Sequence, residues 1–414
     1  MTSRLIVNSI RHTGASADAI TLDNSGNATF PANVTCSGTA TGFGGGKATN
    51  LVINGDMQIS QRSTSSTSNN YASVDRFKVG RGGTDEAPTQ AQVDVASGTT
   101  PYTLGFRKAL KVTNGNQTSG AGAADLITVN HRVEAQNMAQ SGWNYVSASS
   151  NITFSFWVKS SVAQNFYFRA TTSDGTSQNY PMETGSLSAD TWTKVTKTIP
   201  GNSNITINND NGIGLEFDFA LFLGTDYTGS VTLNQWAAFS ASTMVPDSTS
   251  TWYTTNDATF EITGVLLEVG DSASDFPHET HAEALRKCQR YCVSYQQLDS
   301  GELINLCGAA RGGSNKWFVM HLSTAMRADP TVTRVGQTRV GTAWDFTYTS
   351  ADDTLTVGGV TPTAKLGEPA RDKLIFYYNG SISGMTNQAN AIYFLMWNTN
   401  SNGDGYRLTF DAEL

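Results

Sequence analysis

The chain has 414 residues, of which 15% are charged, and its formal net charge at pH 7 is -8. Such an acidic chain offers no general basic surface to phosphate backbones, which argues against nucleic-acid binding. No segment approaches the ~20 apolar residues that a membrane-spanning helix needs, and the first residues turn polar too early for a secretory signal. We therefore expect synthesis in a cytoplasm without membrane insertion. The 39 glycines, beside 38% hydrophobic residues, predict an all-β protein with many turns.

Residues 1–49 contain short β-prone pieces, such as Leu5–Val7 and Ala19–Leu22, separated by turn residues. Each piece is too small to bury an apolar face alone. We therefore predict a β segment that is intertwined with copies of itself or docked on another protein. Its last part, Thr41–Lys47, is rich in glycine and indicates a flexible linker. This linker lacks the residues and the strand-then-helix setting of a phosphate-binding loop.

Residues 50–277 are predicted to form one large β-sandwich of the jelly-roll type. Apolar or alternating runs recur without intervening helices, for example Phe154–Val158, Gly214–Phe222 and Phe260–Leu267. Clusters of Asp, Asn, Ser and Gly separate these runs, as turns separate strands. The pattern is typical of two packed sheets.

Residues 278–297 are predicted to form a short linking helix. Thr280 and Glu283 have the spacing of a capping box, in which each side chain binds the backbone amide of the other residue. A stripe with 4-3-4-3 spacing follows on one helix face, formed by His281, Leu285, Cys288, Cys292 and Tyr295. This stripe needs a partner surface, either the preceding sandwich or copies of itself around a threefold axis. The spacing leaves both partners open.

Residues 298–414 are predicted to form a second β-sandwich, which carries the candidate ligand-binding residues. Trp and Tyr rings stack on the C–H faces of sugars, and Asn and Asp side chains pair with sugar hydroxyls. Rings near strand ends are the better candidates, because the loops there build binding sites. The candidate ligand-binding residues are Trp344, Tyr378, Trp397, Asn398 and Asp404.

The sequence contains no constellation that indicates catalysis. The His and Cys residues of the predicted helix are spread over about two turns, roughly 10 Å, which is too far for one zinc ion. Glu216 and Asp218 alternate with aromatic residues on one strand, which predicts solvated acids rather than a glycosidase pair. A structural Ca²⁺ site formed by Asp56 and Glu268 stays an open alternative. We predict no catalytic residues, no cofactor and no bound zinc.

Five motifs follow one another along the chain. They are Asn50–Arg62, Asp75-Arg76-Phe77, Leu266–Gly270, Cys288–Tyr291 and Leu408–Leu414. In this order they resemble the motifs of tail-fibre and receptor-binding proteins of tailed bacteriophages. The resemblance implies a homotrimer in the virion, with its amino-terminal segment docked on tail adaptor, nozzle or baseplate proteins. It thereby assigns the helix stripe to the trimer interface. It also implies that a distal domain binds a host-surface polysaccharide or glycan, where three copies would multiply weak contacts.

The leading hypothesis is therefore a non-enzymatic phage tail fibre that mediates attachment to the host cell. A polysaccharide-degrading tailspike is an alternative, although the chain lacks the long repeat of a β-helix. A structural head fibre or baseplate decoration protein is a second alternative, and a cellular carbohydrate-binding module is a third.

Overall fold

The computed structural model of the chain describes residues 49–296 continuously. It also describes shorter segments at 9–10, 13–14, 16, 18, 20–22, 28–29, 304–310, 315–328, 330–335, 337–342, 373–379, 392–398 and 407–414. The chain divides into two compact units, Met1–Lys47 and Ala48–Leu414. Within the described ranges, every helix is too short or too polar to cross a membrane.

The first unit contains a small antiparallel sheet of very short strands. These are β1 (Ser9–Ile10), β2 (Ile20–Leu22) and β3 (Ala28–Thr29). Two of its large apolar side chains are exposed, Ile10 at 51% and Leu22 at 40%. Short strands are what the sequence predicts for residues 1–49. The intertwining of this segment with other copies stays a prediction.

The second unit begins with a series of longer strands and three short helices. The strands are β4 (Ser65–Ser66), β5 (Phe77–Gly82), β6 (Thr89–Asp94), β7 (Lys108–Thr113), β8 (Leu126–Glu134), β9 (Asn151–Ser160), β10 (Asn165–Thr172), β11 (Gln178–Ser186), β12 (Thr193–Pro200), β13 (Ile213–Leu223), β14 (Ala237–Ala238) and β15 (Thr259–Val269). The helices are α1 (Thr100–Thr103), α2 (Ala135–Ala139) and α3 (Thr251–Thr254).

These strands form two six-stranded antiparallel sheets. The front sheet has the order β14-β11-β10-β13-β8-β5, and the back sheet has the order β12-β9-β15-β7-β6-β4. Neighbours such as β5 and β8, or β9 and β15, come from distant parts of the sequence. The predictions of an all-β fold and of a β-sandwich are confirmed.

The hydrophobic core lies between the two sheets, because alternate residues of each strand point inward. On β13, Phe217 is 0% exposed and Phe219 is 2% exposed. On β9, Phe154 and Phe156 are 0% exposed. The rings of Phe154 and Phe217 stack with their centroids 3.8 Å apart. Each such buried ring contributes roughly 1.5–3 kcal/mol to folding.

The predicted linking helix exists but is shorter than expected. Helix α4 spans His281–Gln289 and begins with the predicted capping box. The amide of Glu283 donates to Thr280 Oγ1 (3.3 Å), and the amide of Thr280 donates to Glu283 Oε2 (3.0 Å). Cys292 and Tyr295 lie beyond the helix, so their predicted position on the helical stripe is wrong.

The residues that follow α4 form strands. They are β16 (Cys292–Gln296), β17 (Ile304–Ala310), β18 (Asn315–His321), β19 (Thr331–Val335), β20 (Gln337–Thr342), β21 (Lys373–Asn379), β22 (Ile392–Asn398) and β23 (Arg407–Asp411). One sheet has the order β16-β23-β19 and the other β20-β22-β17-β18-β21. Strand β16 pairs with β23, with Cys292 opposite Asp411. This long-range pairing overrides the local helical spacing. A separate sandwich over residues 298–414 stays a prediction.

The buried part of the predicted stripe packs on its own chain. Cys288 lies in a small apolar cluster with Ile59. Cys288 and Cys292 are both 0% exposed, so neither thiol has surface with which to contact another copy. This corrects the assignment of the two cysteines to a trimer interface. The assignment stays a prediction for the three residues that keep exposed surface, His281, Leu285 and Tyr295.

Candidate functional site

The candidate ligand-binding residues of the carboxyl-terminal region are not gathered at one place. Trp344 and Asp404 lie outside the described residues. Tyr378 lies on β21, whereas Trp397 and Asn398 lie on β22, and two other strands separate β21 from β22 in the sheet.

The strand register separates these residues further. Tyr378 lies opposite Lys316, which in turn pairs with Ala310 at one end of β17. Trp397 lies opposite Ile304 at the other end of β17. The 7 residues of β17 span roughly 20 Å. Tyr378 and Trp397 therefore lie at opposite ends of the five-stranded sheet.

A different group of polar residues is brought together on the outer face of the front sheet. Phe217 and Phe219 point into the core, so Glu216 and Asp218 point outward from β13. The same alternation turns polar residues of β5, β8 and β10 to this side. We call the group the polar face; its members are Lys78, Asn130, Arg132, Arg169, Thr171, Glu216 and Asp218.

Strand register arranges the polar face in two rows. The first row crosses β5, β8, β13 and β10 as Lys78, Asn130, Asp218 and Arg169. Three strand spacings of ~4.8 Å make this row roughly 14 Å long. The second row crosses β8, β13 and β10 as Arg132, Glu216 and Thr171. In the first row Asn130, Asp218 and Arg169 are only 7%, 3% and 8% exposed, so the surface open to a ligand is the second row together with Lys78.

Ion pairs and hydrogen bonds hold the polar face in one geometry. Arg169 donates to Asp218 Oδ2 through Nε (3.1 Å) and Nη2 (2.9 Å), and to Thr171 Oγ1 through Nη1 (2.7 Å). Asn130 Nδ2 bridges the two acids, at 2.6 Å from Asp218 Oδ1 and 3.1 Å from Glu216 Oε1. A carboxylate has about four acceptor positions, so the half-buried Glu216 can accept further hydrogen bonds from a ligand.

The acids on β13 differ from their sequence prediction. Asp218 is 3% exposed and Glu216 is half-buried, so the prediction of two solvated acids is wrong for Asp218. The reason is that Arg169 and Asn130 on the neighbouring strands cover and pair with it. These partners are far away in the sequence, and only the sheet order brings them beside Asp218. The available sequence signal was the alternation of polar with apolar residues on central strands.

The charges of the polar face act on one another. Burial raises the pKa of Asp218, and the charge of Arg169 opposes this rise. Burial, followed by repulsion from Arg132, lowers the pKa of Lys78. Arg132 Nε donates to Glu216 Oε2 at 2.8 Å. The face is therefore charged and pre-ordered, as sites for polar ligands are.

A loop between β13 and α3 packs on one end of the polar face. Val245 in this loop is fully buried, in an apolar cluster with Ala220 and with the partly buried Tyr167. The ring of Phe239 lies 5.3 Å from the guanidinium carbon of Arg169. An aromatic ring thus borders the polar residues, next to the end of the first row.

The other end of the polar face touches the carboxyl-terminal residues of the chain. Arg132 Nη1 donates to the backbone oxygen of Leu414 (2.5 Å), and so does the hydroxyl of Tyr71 (3.3 Å). Nearby, Arg76 forms an ion pair with Glu413. The Arg76 guanidinium also lies 3.4 Å from the centroid of the Tyr291 ring. These contacts attach β23 to the sandwich and fix one border of the face.

Asp56 and Glu268, for which the sequence leaves open a role as ligands of a structural Ca²⁺, make local hydrogen bonds. Asp56 accepts from Gln58 (2.5 Å), and Glu268 accepts from the amide and hydroxyl of Ser274 (2.7 Å each). Within the part of the chain that the structure describes, no three His, Cys, Asp or Glu side chains are grouped as a metal site requires.

No protein-family model matches the chain, and the curated proteins contain no match to it. Three solved structures with a similar arrangement are an enzymatically active domain of tailspike protein 4 from bacteriophage CBA120, a CBM4 module, and the TmCBM61 module in complex with β-1,4-galactotriose. The tailspike domain is 10% identical with a TM-score of 0.30, and the match covers 53% of this chain and 21% of that chain. This chain therefore matches about a fifth of the tailspike domain's length.

The two modules are matched over their whole length. The CBM4 structure is 13% identical with a TM-score of 0.28, covering 53% of this chain and 99% of the module. TmCBM61 is 10% identical with a TM-score of 0.26, covering 54% of this chain and 100% of the module. At TM-scores this low, function has to be argued from the residues of this chain.

Proposed function

We propose that this protein binds carbohydrate through the polar face of its front sheet, without catalysis. The observation that carries the proposal is the flat array of carboxylate, guanidinium, amide and hydroxyl groups, which mutual hydrogen bonds keep in place. A sugar presents many hydroxyls that both donate and accept, so a fixed array of both kinds of partner suits it. The bordering ring of Phe239 offers an apolar surface for a sugar C–H face.

We further propose that the binding serves host attachment by a trimeric fibre in a phage virion. The support is the set of motifs that resembles tail-fibre and receptor-binding proteins. The buried residues Asp75 and Arg76 belong to that set, and so does Glu413, which pairs with Arg76. The exposed apolar residues of the first unit also favour docking on another protein. Mass measurement of the purified protein tests the trimer, and antibody labelling of phage particles tests the location.

Binding is tested with Glu216→Ala. Glu216 is half-buried, and its removal leaves Arg132 bonded to the backbone oxygen of Leu414. A lost hydrogen bond to a charged group costs about 1.5–3 kcal/mol, so affinity for the bound glycan should fall roughly 10- to 100-fold. Lys194→Ala is the control, because Lys194 is exposed on the back sheet. Equal glycan binding by wild type and Glu216→Ala, both folded, would count against the polar face as the site.

A polysaccharide-degrading activity is the second candidate, and the polar face also motivates it. Asn130 Nδ2 lies 2.6 Å from Asp218 Oδ1 and 3.1 Å from Glu216 Oε1, so these two carboxylate oxygens lie less than about 6 Å apart. Glycosidase acids have separations of this order, and burial raises the pKa of Asp218, as a general acid requires. Shortening of the bound polysaccharide, lost in Asp218→Asn, would establish the enzyme. Unchanged chain length after prolonged incubation would support binding alone.

A further inference from the structure

Lys78 differs from the other charged residues of the polar face. Each acid of that face is held by a guanidinium, Glu216 by Arg132 and Asp218 by Arg169. The side chain of Lys78 makes no hydrogen bond and no ion pair with any residue in the described ranges. It is the cation of the face that has no internal partner among them.

The position of Lys78 keeps its ammonium beside the ligand surface. Phe77 and Val79 are core residues at 0% and 3% exposure, so Lys78 between them points to the outer side. Strand β5 is the edge strand of the front sheet, and Lys78 lies opposite Asn130. The next position outward on β5 is Gly80, which has no side chain that could cover the ammonium.

The charges around Lys78 leave a positive excess. The polar face holds three cations, Lys78, Arg132 and Arg169, and two carboxylates, so its formal sum is +1. Glu413 lies at the border of the face, but it is paired with Arg76 and Arg62. The next acid along the sheet, Glu183, lies on β11, four strands from β5, and is bonded to Asn165 (2.9 Å). Four strand spacings amount to roughly 19 Å, beyond the reach of screened surface charges.

The environment of Lys78 also disfavours an isolated positive charge. Partial burial lowers the pKa of Lys78 first, and Arg132 adds repulsion. The attraction of Glu216 and Asp218 opposes this effect but does not cancel it. An anion bound next to Lys78 would therefore offset the free-energy cost of this positive charge in the unliganded protein.

We propose that Lys78 binds the carboxylate of an acidic sugar, so that the polar face selects polysaccharides with uronate-type units over neutral ones. This inference rests on the proposed carbohydrate binding and specifies its ligand class. The neutral part of the sugar lies over the second row, and the carboxylate reaches Lys78 at the edge strand. The ammonium of Lys78 is a compact point charge, which suits a single carboxylate. Arg132 is already paired with Glu216 and therefore does not bind that carboxylate.

The experiment compares acidic polysaccharides with their own neutral forms. Alginate, polygalacturonate and hyaluronan are used, each together with a carboxyl-reduced sample that keeps the backbone. Binding to the full chain is followed by affinity electrophoresis and calorimetry. We expect at least one acidic polymer to bind, at least 10-fold weaker binding after carboxyl reduction, and weakening by salt. Binding of a reduced form as tight as that of its acidic parent would overturn the inference.

Lys78→Met tests the residue itself, because Met keeps the apolar stem and removes the charge. The variant should bind the acidic and the reduced polymer equally, whereas the control Lys194→Met should keep the preference. Its unfolding temperature should stay within a degree of wild type, since Lys78 has no described partner to lose. A preference that survives in Lys78→Met refutes the role of Lys78.

The two proposals fail in different ways. If only neutral polysaccharides bind, and Glu216→Ala weakens them, carbohydrate binding stands and the selection of acids is wrong. If neither acidic nor neutral polysaccharides bind, the proposed function itself fails.

Discussion

Removing Arg76 from its ion pair with Glu413 should cost several kcal/mol, and Arg76→Met tests this. Arg76 is 0% exposed, and the side chain of Glu413 is 5% exposed. Arg76 also donates to the backbone oxygen of Arg132 (2.6 Å) and lies over the Tyr291 ring. Removing one partner of a buried pair costs about 3–5 kcal/mol, because the remaining charge is left without compensation.

One contact should reduce that cost. Glu413 keeps a second cation, Arg62, at 3.3 Å. We therefore expect Arg76→Met to lose about 3 kcal/mol, the lower end of the range. Glu413→Gln alone should also destabilise the protein, and the double variant should lose clearly less than the sum of the two single losses.

The assay is urea unfolding followed by tryptophan fluorescence, with hydrogen exchange on β16 and β23 as a local readout. The exchange of β23 amides should accelerate in Arg76→Met, because this strand is held to the sandwich by the pair. Arg107→Met is a matched control, since Arg107 is exposed. A loss below about 1 kcal/mol, typical of a surface pair, or strictly additive losses in the double variant, would refute the reasoning.

Two further predictions concern the core of the sandwich. Burial, and secondarily the charge of Arg76, holds the pKa of His131 well below its ordinary value of 6.5. The unfolded chain then binds a proton that the native chain does not, so this contribution to stability is complete above pH 6.5 and declines as the pH falls below it. Urea titrations from pH 8 to pH 4 should show a smaller acid loss in His131→Leu than in wild type; parallel curves would contradict this. Phe217→Ala removes the ring stacked on Phe154 and should cost about 3–5 kcal/mol in the same assay, and a cost near zero would argue against the packed core.

Local sequence patterns were sufficient to predict the strands of the sandwich and the start of the helix. The alternation in Phe154–Val158 and Gly214–Phe222 predicts strands with one inward side, and β9 and β13 occupy these positions. The capping box is a contact between residues three apart, so Thr280 and Glu283 reveal it directly. Both features depend on neighbours in the sequence.

Features that depend on distant partners could not be predicted in this way. The end of α4 is one example, because the spacing of Cys292 and Tyr295 fits a helix, and only pairing with β23 makes them a strand. The polar face is another. Asp218 looks solvated in the sequence, and the residues that bury it, Arg169 and Asn130, lie 49 and 88 positions away. No local pattern indicates which strands become neighbours in a sheet.

The separation of the charged partners along the chain has a consequence for folding during synthesis. Arg62 contacts Asp411 across 349 positions, and Arg76 contacts Glu413 across 337. A ribosome adds about 5–20 residues per second, so both guanidiniums wait on the order of tens of seconds for their carboxylates. During that interval they must remain hydrated, which keeps this end of the nascent sandwich open to water. The ion pairs of Arg62 and Arg76 therefore form only after Asp411 and Glu413 have been synthesised.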